Sequence, residues 1–318
     1  MIEKFKLKNS FLSVEVTNFG ARIISLVVKK LNRNVILAYK KLEDYKADPN
    51  YFGASIGPNA NRIKNGEFVI NDKIYKWDHN NGPNNNHSGK YGLDKEIWDL
   101  SEKTDDRIVF SIKKQEPFVY EARATYSLKG NILDIRYEAQ AEEPAIFNFT
   151  NHAYFNLEGF KGFDDVKKIY GHKLKLYSNE ITPCDDFLIP TGEVRQVLSG
   201  PYNFDKGKLL GKTLENNLDL FGLNRGYDTN YLMKEAKYQE IAYISVGDLS
   251  LKVFSDAPGF QVYTGNFIKI NGQDRPHIGM CIEPQNVPNS MNSTVFDQPI
   301  YQESDLFERR ISYEFNLI

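Results

Sequence analysis

The sequence is poor in cysteine. Its 318 residues include only Cys184 and Cys281. Two cysteines this far apart in sequence are too few for a zinc cluster or a disulfide framework, and unpaired thiols suit a reducing compartment. We therefore expect both to be ordinary core or strand residues.

The sequence also lacks an excess of charge of either sign and a long hydrophobic run. The 40 Lys and Arg residues and the 42 Asp and Glu residues leave a net charge of -2 without a long block of one sign, which argues against a nucleic-acid binder. Residues 1–16 contain no apolar run that ends in small residues, and no later segment approaches the roughly 18 apolar residues of a membrane span. We expect a cytoplasmic protein that binds neither nucleic acid nor membrane.

The motifs of several common chemistries are missing as well. There is no G-x-S-x-G elbow, no Walker loop and no G-x-G-x-x-G before a helix, so acyl-serine, nucleotide and dinucleotide chemistries lose their best signatures. No H-x-x-x-H, C-x-x-C or aspartate-rich calcium loop appears either, so neither a metal nor another cofactor is expected. What remains is acid–base chemistry by a carboxylate and an imidazole.

Aromatic residues and apolar alternation are abundant. The 21 Phe and 19 Tyr residues favour strands, and apolar residues alternate with a period of two, as half-buried strands require. Hairpins are predicted at the turns 129–131 and 71–72. Without a βαβ rhythm, the pattern predicts an all-β fold, a large antiparallel β-sandwich, in a single domain over residues 1–318. The alternating segments are 12–16, 24–28, 108–112, 251–253 and 311–317.

Three stretches depart from this alternation. Residues 41–50 (KLEDYKADPN) have the composition of a surface helix turn. His79 to Lys95 is dense in Asn and Gly and is predicted to be a loop, and Leu198 to Asn230 is predicted to be a long connection with little pattern. Long loops on a rigid scaffold often carry function.

Two of the five histidines have a distinctive setting. His87 lies in NNNHSG, where small neighbours would let a ligand approach the backbone, although a solvent-exposed loop histidine fits equally well. His152 lies in NFTNHAYFNLEG; in a strand it would share a polar face with Asn148, Thr150 and Tyr154, which could line a binding cleft, whereas a buried histidine satisfied by its neighbours is the alternative. The remaining three are expected to be structural: His79, His172 and His277.

Three charged residues are further candidates. Glu283 follows the apolar run 278–282, which is predicted to be a buried strand; at the exit of that strand, partial desolvation would raise the pKa of this carboxyl from about 4.3, although an edge glutamate in solvent is the alternative. Arg62 in GPNANRIKNG and Asp228 in NRGYDTNYLM have Gly- and Asn-rich neighbours, and either could be a plain surface charge.

Taken together, these segments resemble the aldose 1-epimerases, also called galactose mutarotases, in the order that this family shows and over nearly the whole chain. GASIGPNANRIKNGEF is similar to the family's G-x-x-x-G-R/P-x-x-x-R-I segment, which implies that Arg62 contacts sugar hydroxyls. NNGPNNNHSGKYGLDKEIWDL resembles the N-x-x-x-N-x-L-H-G-G segment and matches it at His87. NFTNHAYFNLEG resembles the N-L-T-N-H-x-Y-F-N-L signature, which carries the catalytic histidine over to His152.

Two later segments complete the resemblance. NRGYDTNYLM resembles the G-x-D-H-x-F/Y segment at Asp228, and CIEPQNVPNSMN resembles the L-E-x-Q-x-x-P-x-x-x-N segment, which implies that Glu283 is the catalytic base. The chain departs from the family pattern at Ser88, where a glycine usually follows the loop histidine, and at Thr229, where a histidine often follows the aspartate. The second departure is expected to remove a polar side chain near the sugar.

The resemblance implies a galactose mutarotase-like supersandwich and an enzyme of hexose metabolism. Such an enzyme would interconvert the α and β anomers of a free aldohexose, such as galactose or glucose, without a cofactor. Glu283 would act as general base on the anomeric hydroxyl, and protonated His152, with an unperturbed pKa near 6.5, would act as general acid on the ring oxygen. His87, Arg62 and Asp228 would hydrogen-bond the sugar.

Several points stay open at this stage. An aromatic side chain is expected to stack on the sugar, with Tyr154, Phe155 and Trp98 as candidates. A hexose-6-phosphate mutarotase would need a cluster of Arg or Lys near the site, and a carbohydrate-binding protein without activity would not need the acid and the base together. A glycoside hydrolase usually needs two carboxylates. The protein is expected to be a monomer or a homodimer.

Overall fold

The computed structural model describes residues 1–217 and 221–318, and most regular elements in this part of the chain are strands. The first strands are β1 (Lys4–Lys8), β2 (Leu12–Thr17), β3 (Arg22–Val28), β4 (Arg33–Asn34), β5 (Ser55–Ile56), β6 (Arg62–Ile63), β7 (Glu67–Ile70), β8 (Lys73–Lys76) and β9 (Asn85–Asn86). The next are β10 (Asp99–Lys103), β11 (Arg107–Lys114), β12 (Tyr120–Lys129), β13 (Ile132–Ala141), β14 (Ala145–Ile146), β15 (Thr150–Asn151), β16 (Lys173–Leu176), β17 (Glu180–Ile181), β18 (Arg195–Gln196) and β19 (Lys208–Leu209). The last are β20 (Asp228–Leu232), β21 (Gln239–Val246), β22 (Leu249–Ser255), β23 (Gly259–Tyr263), β24 (Lys269–Ile270), β25 (Gln273–Asp274), β26 (Cys281–Gln285), β27 (Ile300–Tyr301) and β28 (Leu306–Leu317).

Helices are short. The described residues contain the α-helix α1, Leu210–Glu215, and none of their helices has the length and hydropathy that a membrane span requires. The 3₁₀ turns are Lys29–Leu31, Leu42–Ala47, Lys64–Gly66, Gly89–Tyr91, Leu93–Lys95, Ile169–Gly171, Gly222–Asn224 and Ser290–Asn292. The turn Leu42–Ala47 confirms the helix turn predicted for residues 41–50.

Three sheets dominate the fold, and their strands pair antiparallel, which confirms the predicted all-β sandwich. The largest has nine strands in the order β10-β11-β12-β13-β28-β22-β21-β16-β19. A five-stranded sheet has the order β18-β17-β20-β23-β26, and a four-stranded sheet has the order β1-β2-β3-β4. Two-stranded pairs join β5 with β15, β6 with β9, β7 with β8, β14 with β27 and β24 with β25.

The predicted alternation produces the core. Val14, Phe110, Ile135, Ile311 and Val262 come from different strands of all three sheets, and their buried side chains belong to the same hydrophobic cluster. Each such side chain stabilises the fold by about 1.5–3 kcal/mol when it leaves water. Both predicted hairpins are present, β12 with β13 and β7 with β8.

One alternating segment is shifted by a bulge. The sequence pattern predicts that Ile24, Leu26 and Val28 face the core, but Ile23 is fully buried and Ile24 is only half-buried. The pairing of β2 with β3 changes register next to Glu15, so one residue of β3 has no partner. An extra residue in one strand reverses the faces of the residues before it.

The long connection from Leu198 to Asn230 contains more structure than predicted. It includes the turn that follows β18, then β19, α1 and the start of β20, which begins at Asp228. Residues 218–220 of this connection lie outside the described residues. The loop predicted for residues 79–95 is mostly irregular, with only β9 and two 3₁₀ turns.

Candidate active site

Five residues singled out in the sequence meet in one cleft with a volume of about 250 Å³. They come from distant parts of the chain: Arg62, His87, His152, Asp228 and Glu283. Polar side chains predominate among the other residues that line the cleft, which are Pro49, Asn50, Tyr51, Asn61, Asn80, Asn81, Asn86, Tyr154, Gln261, Tyr263 and Phe267. Such a lining suits a ligand with many hydroxyl groups. The catalytic and binding roles given to the five residues stay predictions.

One face of the five-stranded sheet forms part of the cleft. Gln261 of β23 pairs with Glu283 of β26, and Tyr263 pairs with Asp228 of β20 on one side and Cys281 on the other. Directly paired residues and residues two apart share a face, so these five side chains point the same way. The carboxylates of the site are therefore placed by the register of three neighbouring strands.

Glu283 lies within a strand and not at its exit. The predicted strand 278–282 is displaced, because β26 runs over Cys281–Gln285 with Glu283 at its centre. Pro284 is tolerated there because β26 is an edge strand of its sheet, where a proline need not donate to a neighbour. Glu283 is buried, and its Oε2 atom has no hydrogen-bond partner among the described residues.

His152 is held by backbone bonds at the end of a very short strand. The predicted strand around it is reduced to β15, Thr150–Asn151. His152 N–H donates to Ala54 O at 2.9 Å, and Gly53 N–H donates to His152 O at 3.0 Å. Gly53 has φ +67°, and a Cβ at this position would collide with the carbonyl oxygen of Ile23.

Only part of the polar face predicted around His152 reaches the cleft. His152 and Tyr154 line it, whereas Asn148 and Thr150 do not. The Asn148 side chain instead accepts the backbone N–H of Asn286 at 2.9 Å and donates to Ala60 O at 3.3 Å. A strand of two residues is too short to keep four alternate side chains in line.

His87 follows β9 and has a defined tautomer. Asn61 N–H donates to His87 Nδ1 at 3.1 Å, so the proton of the neutral ring lies on Nε2. Burial lowers the pKa of His87 well below 6.5, and the neighbouring His152 and Arg62 lower it further. His87 is therefore a neutral N–H donor at physiological pH.

Arg62 and Asp228 form a second polar pair at the cleft. Arg62 Nη2 lies 3.7 Å from Asp228 Oδ2, and Gln261 Nε2 donates to Asp228 Oδ1 at 2.6 Å. Asn81 Oδ1 accepts from Arg62 Nε at 3.1 Å. These contacts fix a cation and an anion side by side, which suits bidentate hydrogen bonding to neighbouring hydroxyls.

His152 and Glu283 face each other with shifted pKa values. His152 Nε2 lies 3.7 Å from Glu283 Oε2. Burial lowers the pKa of His152 to about 3, and burial together with the charge of Asp228 raises the pKa of Glu283 well above 4.5, against the opposing effect of Arg62. The expectation of an unperturbed histidine pKa is therefore wrong, because the imidazole is desolvated. These shifts favour the uncharged form of both groups.

His87, His152 and Glu283 also present atoms within 4.8 Å of one another, a spacing that resembles a metal site. Because these three residues are far apart in sequence, a search for short ligand spacings does not find them. The lone pair of His87 Nδ1 already accepts the Asn61 N–H, so Nε2 carries the proton and cannot ligate a cation in the neutral ring. The group suits hydrogen bonding to hydroxyls better than metal binding.

The structure separates the three aromatic candidates. Trp98 and Phe155 are fully buried in the core and do not line the cleft, because their side chains pack inside the sandwich. Tyr154 does line it. Three further aromatic residues that the sequence analysis missed also line the cleft, Tyr51, Tyr263 and the exposed Phe267.

The loop that carries Tyr51 rests on a buried ion pair. Arg22 Nη1 lies 2.7 Å from Asp48 Oδ2, and both side chains are fully buried. The same carboxylate accepts the backbone N–H groups of Asn50 and Phe52, each at 2.8 Å. This network fixes Tyr51 with φ +59° against His152 and His87. The composition of residues 41–50 indicates a turn, but not its burial.

Comparison with known proteins agrees with this geometry. The family model described as aldose 1-epimerase matches residues 3–314. The chain belongs to the aldose 1-epimerase family. Galactose mutarotase from Sus scrofa is 33% identical over 333 residues, covering 99% of this chain and 94% of the relative, and aldose 1-epimerase from Haemophilus influenzae is 29% identical over 297 residues, covering 88% and 85%.

Solved structures share the aldose 1-epimerase fold. A GalM/aldose epimerase homologue from C. elegans superposes with a TM-score of 0.90 at 23% identity, covering 100% of both chains. Galactose 1-epimerase from Lactobacillus acidophilus NCFM superposes with a TM-score of 0.84 at 23% identity, covering 100% of this chain and 99% of that one.

The two departures from the aldose 1-epimerase pattern have structural explanations. Ser88 is buried with φ +67°, and its hydroxyl both accepts from Asn59 N–H at 2.8 Å and donates to Asn59 O at 3.0 Å, which holds a serine where a glycine is usual. Thr229 does not line the cleft, because it lies on the opposite face of β20 from Asp228. The expected loss of a polar group near the sugar from Thr229 is not supported.

Proposed function

We propose that this protein is an aldose 1-epimerase that interconverts the α and β anomers of free aldohexoses such as galactose and glucose. Family membership supports the reaction, and the relatives named galactose mutarotase support the substrate class. The observation that carries the proposal is the buried pair of His152 and Glu283, which face each other in a cleft where Glu283 Oε2 has no partner among the described residues.

The reaction needs one proton removed and one added. When the ring opens, the bond between the anomeric carbon and the ring oxygen breaks, and the electron pair goes to the ring oxygen, which takes a proton. The anomeric hydroxyl loses its proton as the carbonyl forms. In this proposal Glu283 accepts the hydroxyl proton and His152 Nε2 delivers a proton to the ring oxygen. After rotation about the bond next to the aldehyde, reclosure uses the same two groups in reversed roles.

One proton must move from Glu283 to His152 before the ring opens. The pKa shifts favour the proton on Glu283, whereas the proposed step begins with it on His152. The two arrangements differ by one proton transferred across the 3.7 Å between Oε2 and Nε2. A sugar favours the second arrangement, because its anomeric hydroxyl donates to a carboxylate and its ring oxygen only accepts, from an N–H group.

The remaining polar residues would hold the sugar. His87 presents its Nε2–H as a neutral donor and does not compete for the transferred proton. Arg62 and Asp228 would bind ring hydroxyls, because their charges strengthen the hydrogen bonds they make. The exposed ring of Phe267 is the aromatic surface we assign to the apolar face of the sugar.

The charges of the cleft favour a free sugar over a sugar phosphate. Among the described residues that line it, Arg62 is the single arginine or lysine, and it already faces Asp228. Asp228 would repel a phosphate unless several further cations balanced it. A glycoside hydrolase would need a second free carboxylate, but Asp228 is engaged by Arg62 and Gln261.

Polarimetry tests the proposal. We expect the wild type to speed the approach of freshly dissolved α-D-galactose to anomeric equilibrium, and Glu283→Gln and His152→Asn each to lose about 10²–10⁴-fold of the catalysed rate. The exposed residues Glu303 and His79 provide matched controls, Glu303→Gln and His79→Asn, which should keep the wild-type rate.

Two outcomes would contradict the proposal. A wild-type protein that leaves galactose and glucose at their uncatalysed rates is not a mutarotase of free sugars. A protein that binds galactose in calorimetry and keeps its catalysed rate in Glu283→Gln does not use this pair.

A further inference from the structure

His152 has a second polar neighbour on the side away from Glu283. Cys281 Sγ lies 3.5 Å from His152 Nδ1. Cys281 is two residues before Glu283 on β26, so both side chains emerge from the same face of the strand. One strand therefore supplies a partner for each nitrogen of the imidazole.

Aromatic rings limit the movement of this imidazole. The Tyr51 ring lies 5.8 Å from the His152 ring, centroid to centroid, at an interplanar angle of 29°, and the Tyr154 ring lies 5.0 Å away at 32°. Nδ1 and Nε2 consequently keep separate environments, with the thiol of Cys281 at the first and the carboxyl of Glu283 at the second.

We infer that Cys281 is a positioning residue whose sulfur accepts a hydrogen bond from His152 Nδ1–H, so that Nε2 is the nitrogen that exchanges protons with the sugar. This inference rests on the proposed function. A neutral imidazole carries one proton, and it can accept a second at Nε2 only if the first is on Nδ1. The opposite tautomer would leave no lone pair facing the cleft.

The surroundings of Nε2 favour the same tautomer. His87 points its Nε2–H into the cleft, since its Nδ1 is occupied by Asn61 N–H, and Glu283, whose pKa is raised by burial, is also a donor in its protonated form. The converging atoms of His87, His152 and Glu283 lie within 4.8 Å of one another. A lone pair on His152 Nε2 gives these donors an acceptor, directly or through a water or a sugar oxygen.

A thiol is suited to this role because it is a weak, uncharged partner. Burial raises the pKa of Cys281 well above 9, so the sulfur stays protonated. A carboxylate at the same position would stabilise the imidazolium form of His152 and hold its proton. The Cys281 thiol orients the His152 ring without stabilising the imidazolium form. A proton on Nε2 therefore remains easy to transfer to a sugar oxygen.

Nitrogen-15 NMR of the histidines tests the tautomer directly. We expect neutral His152, assigned by the loss of its signals in His152→Asn, to show a protonated Nδ1 and an unprotonated Nε2. A protonated Nε2 in the neutral ring overturns the inference. This measurement does not depend on activity, so it separates a failure of the inference from a failure of the proposed function, which wild-type polarimetry decides.

Variants test the link to catalysis. Cys281→Ala should lower kcat on the order of tenfold with KM within about twofold, because the proton shifts in part to Nε2 while the sugar contacts remain. Cys281→Ser, whose hydroxyl also accepts from Nδ1–H, should restore most of the loss. Cys184→Ser is the matched control, since this partly exposed cysteine does not line the cleft. An unchanged kcat in Cys281→Ala, or a loss in Cys281→Ser as large as in Cys281→Ala, overturns the inference.

Discussion

His152 Nε2 lies 3.7 Å from Glu283 Oε2, and both side chains are buried. This distance is too long for a direct hydrogen bond and short enough for the two oxygens bonded to the anomeric carbon to contact one group each. The same burial moves the two pKa values in opposite directions, so that the uncharged form of each group is favoured. The proposed reaction therefore requires one proton on the pair, held either by Glu283 or by His152.

The pH profile of kcat/KM follows from this shared proton. The His152–Glu283 pair gains a second proton only when His152 is protonated as well as Glu283. We therefore expect kcat/KM to stay level through about pH 6.5, the ordinary histidine value, and to fall as the pH approaches about 3. On the alkaline side it should fall above the raised pKa of Glu283, where the pair loses its proton. Polarimetry, corrected for the buffer rate and limited to pH values where circular dichroism shows a folded protein, measures this profile. An acid limb near pH 6.5 would contradict it.

Asp228→Asn should weaken sugar binding and shift the alkaline limb. Loss of a charge-assisted hydrogen bond should raise KM for galactose about tenfold. Asp228 also raises the pKa of Glu283, so its removal should lower that pKa and move the alkaline limb of kcat/KM to lower pH. The neighbouring Thr229→Val, on the opposite face of β20, is the control and should change neither quantity. Equal effects of both variants would show that the strand was disturbed instead.

The sheet was predictable in outline because alternation reports which residues face the core. The alternation in β11 and β28 is strong, and both strands include the segments predicted, 108–112 and 311–317. The displaced β26 and the two-residue β15 were not predictable, because their bounds depend on partners far away in sequence, such as Ala54 for His152. The bulge next to Glu15 has the same origin, since register is a property of a strand pair.

The five polar residues of the site came from a resemblance between motifs, and the structure places them in one cleft. Gln261 could not be found in this way, because only the pairing of β23 with β26 puts it on the same face as Glu283. The position of Tyr51 at the cleft could not be predicted for a different reason. Its position depends on the buried ion pair between Arg22 and Asp48, and a charged residue in sequence usually indicates a solvated surface.

Phe267→Ala should weaken sugar binding without destabilising the fold. The side chain is 47% exposed at the cleft, so its loss removes little core packing. Stacking of an aromatic ring is worth about 1 kcal/mol, which predicts a rise in KM of about fivefold with kcat nearly unchanged. Phe187→Ala is the matched control, because Phe187 is 58% exposed and does not line the cleft. An unchanged KM in Phe267→Ala would assign stacking to another aromatic residue of the cleft, Tyr51, Tyr154 or Tyr263.

Arg22→Met should reduce both stability and activity. It leaves the buried carboxylate of Asp48 without its main cation, which should lower the free energy of unfolding by about 3–5 kcal/mol in urea titrations. The Asp48 carboxylate shapes the loop of Tyr51, so kcat should also fall under conditions where the variant is folded. Arg33→Met breaks a partly exposed ion pair with Asp248 and should cost under about 1 kcal/mol with unchanged kcat. If Arg22→Met loses stability but keeps the wild-type kcat, the buried pair supports the fold alone and the position of Tyr51 against His152 does not depend on it.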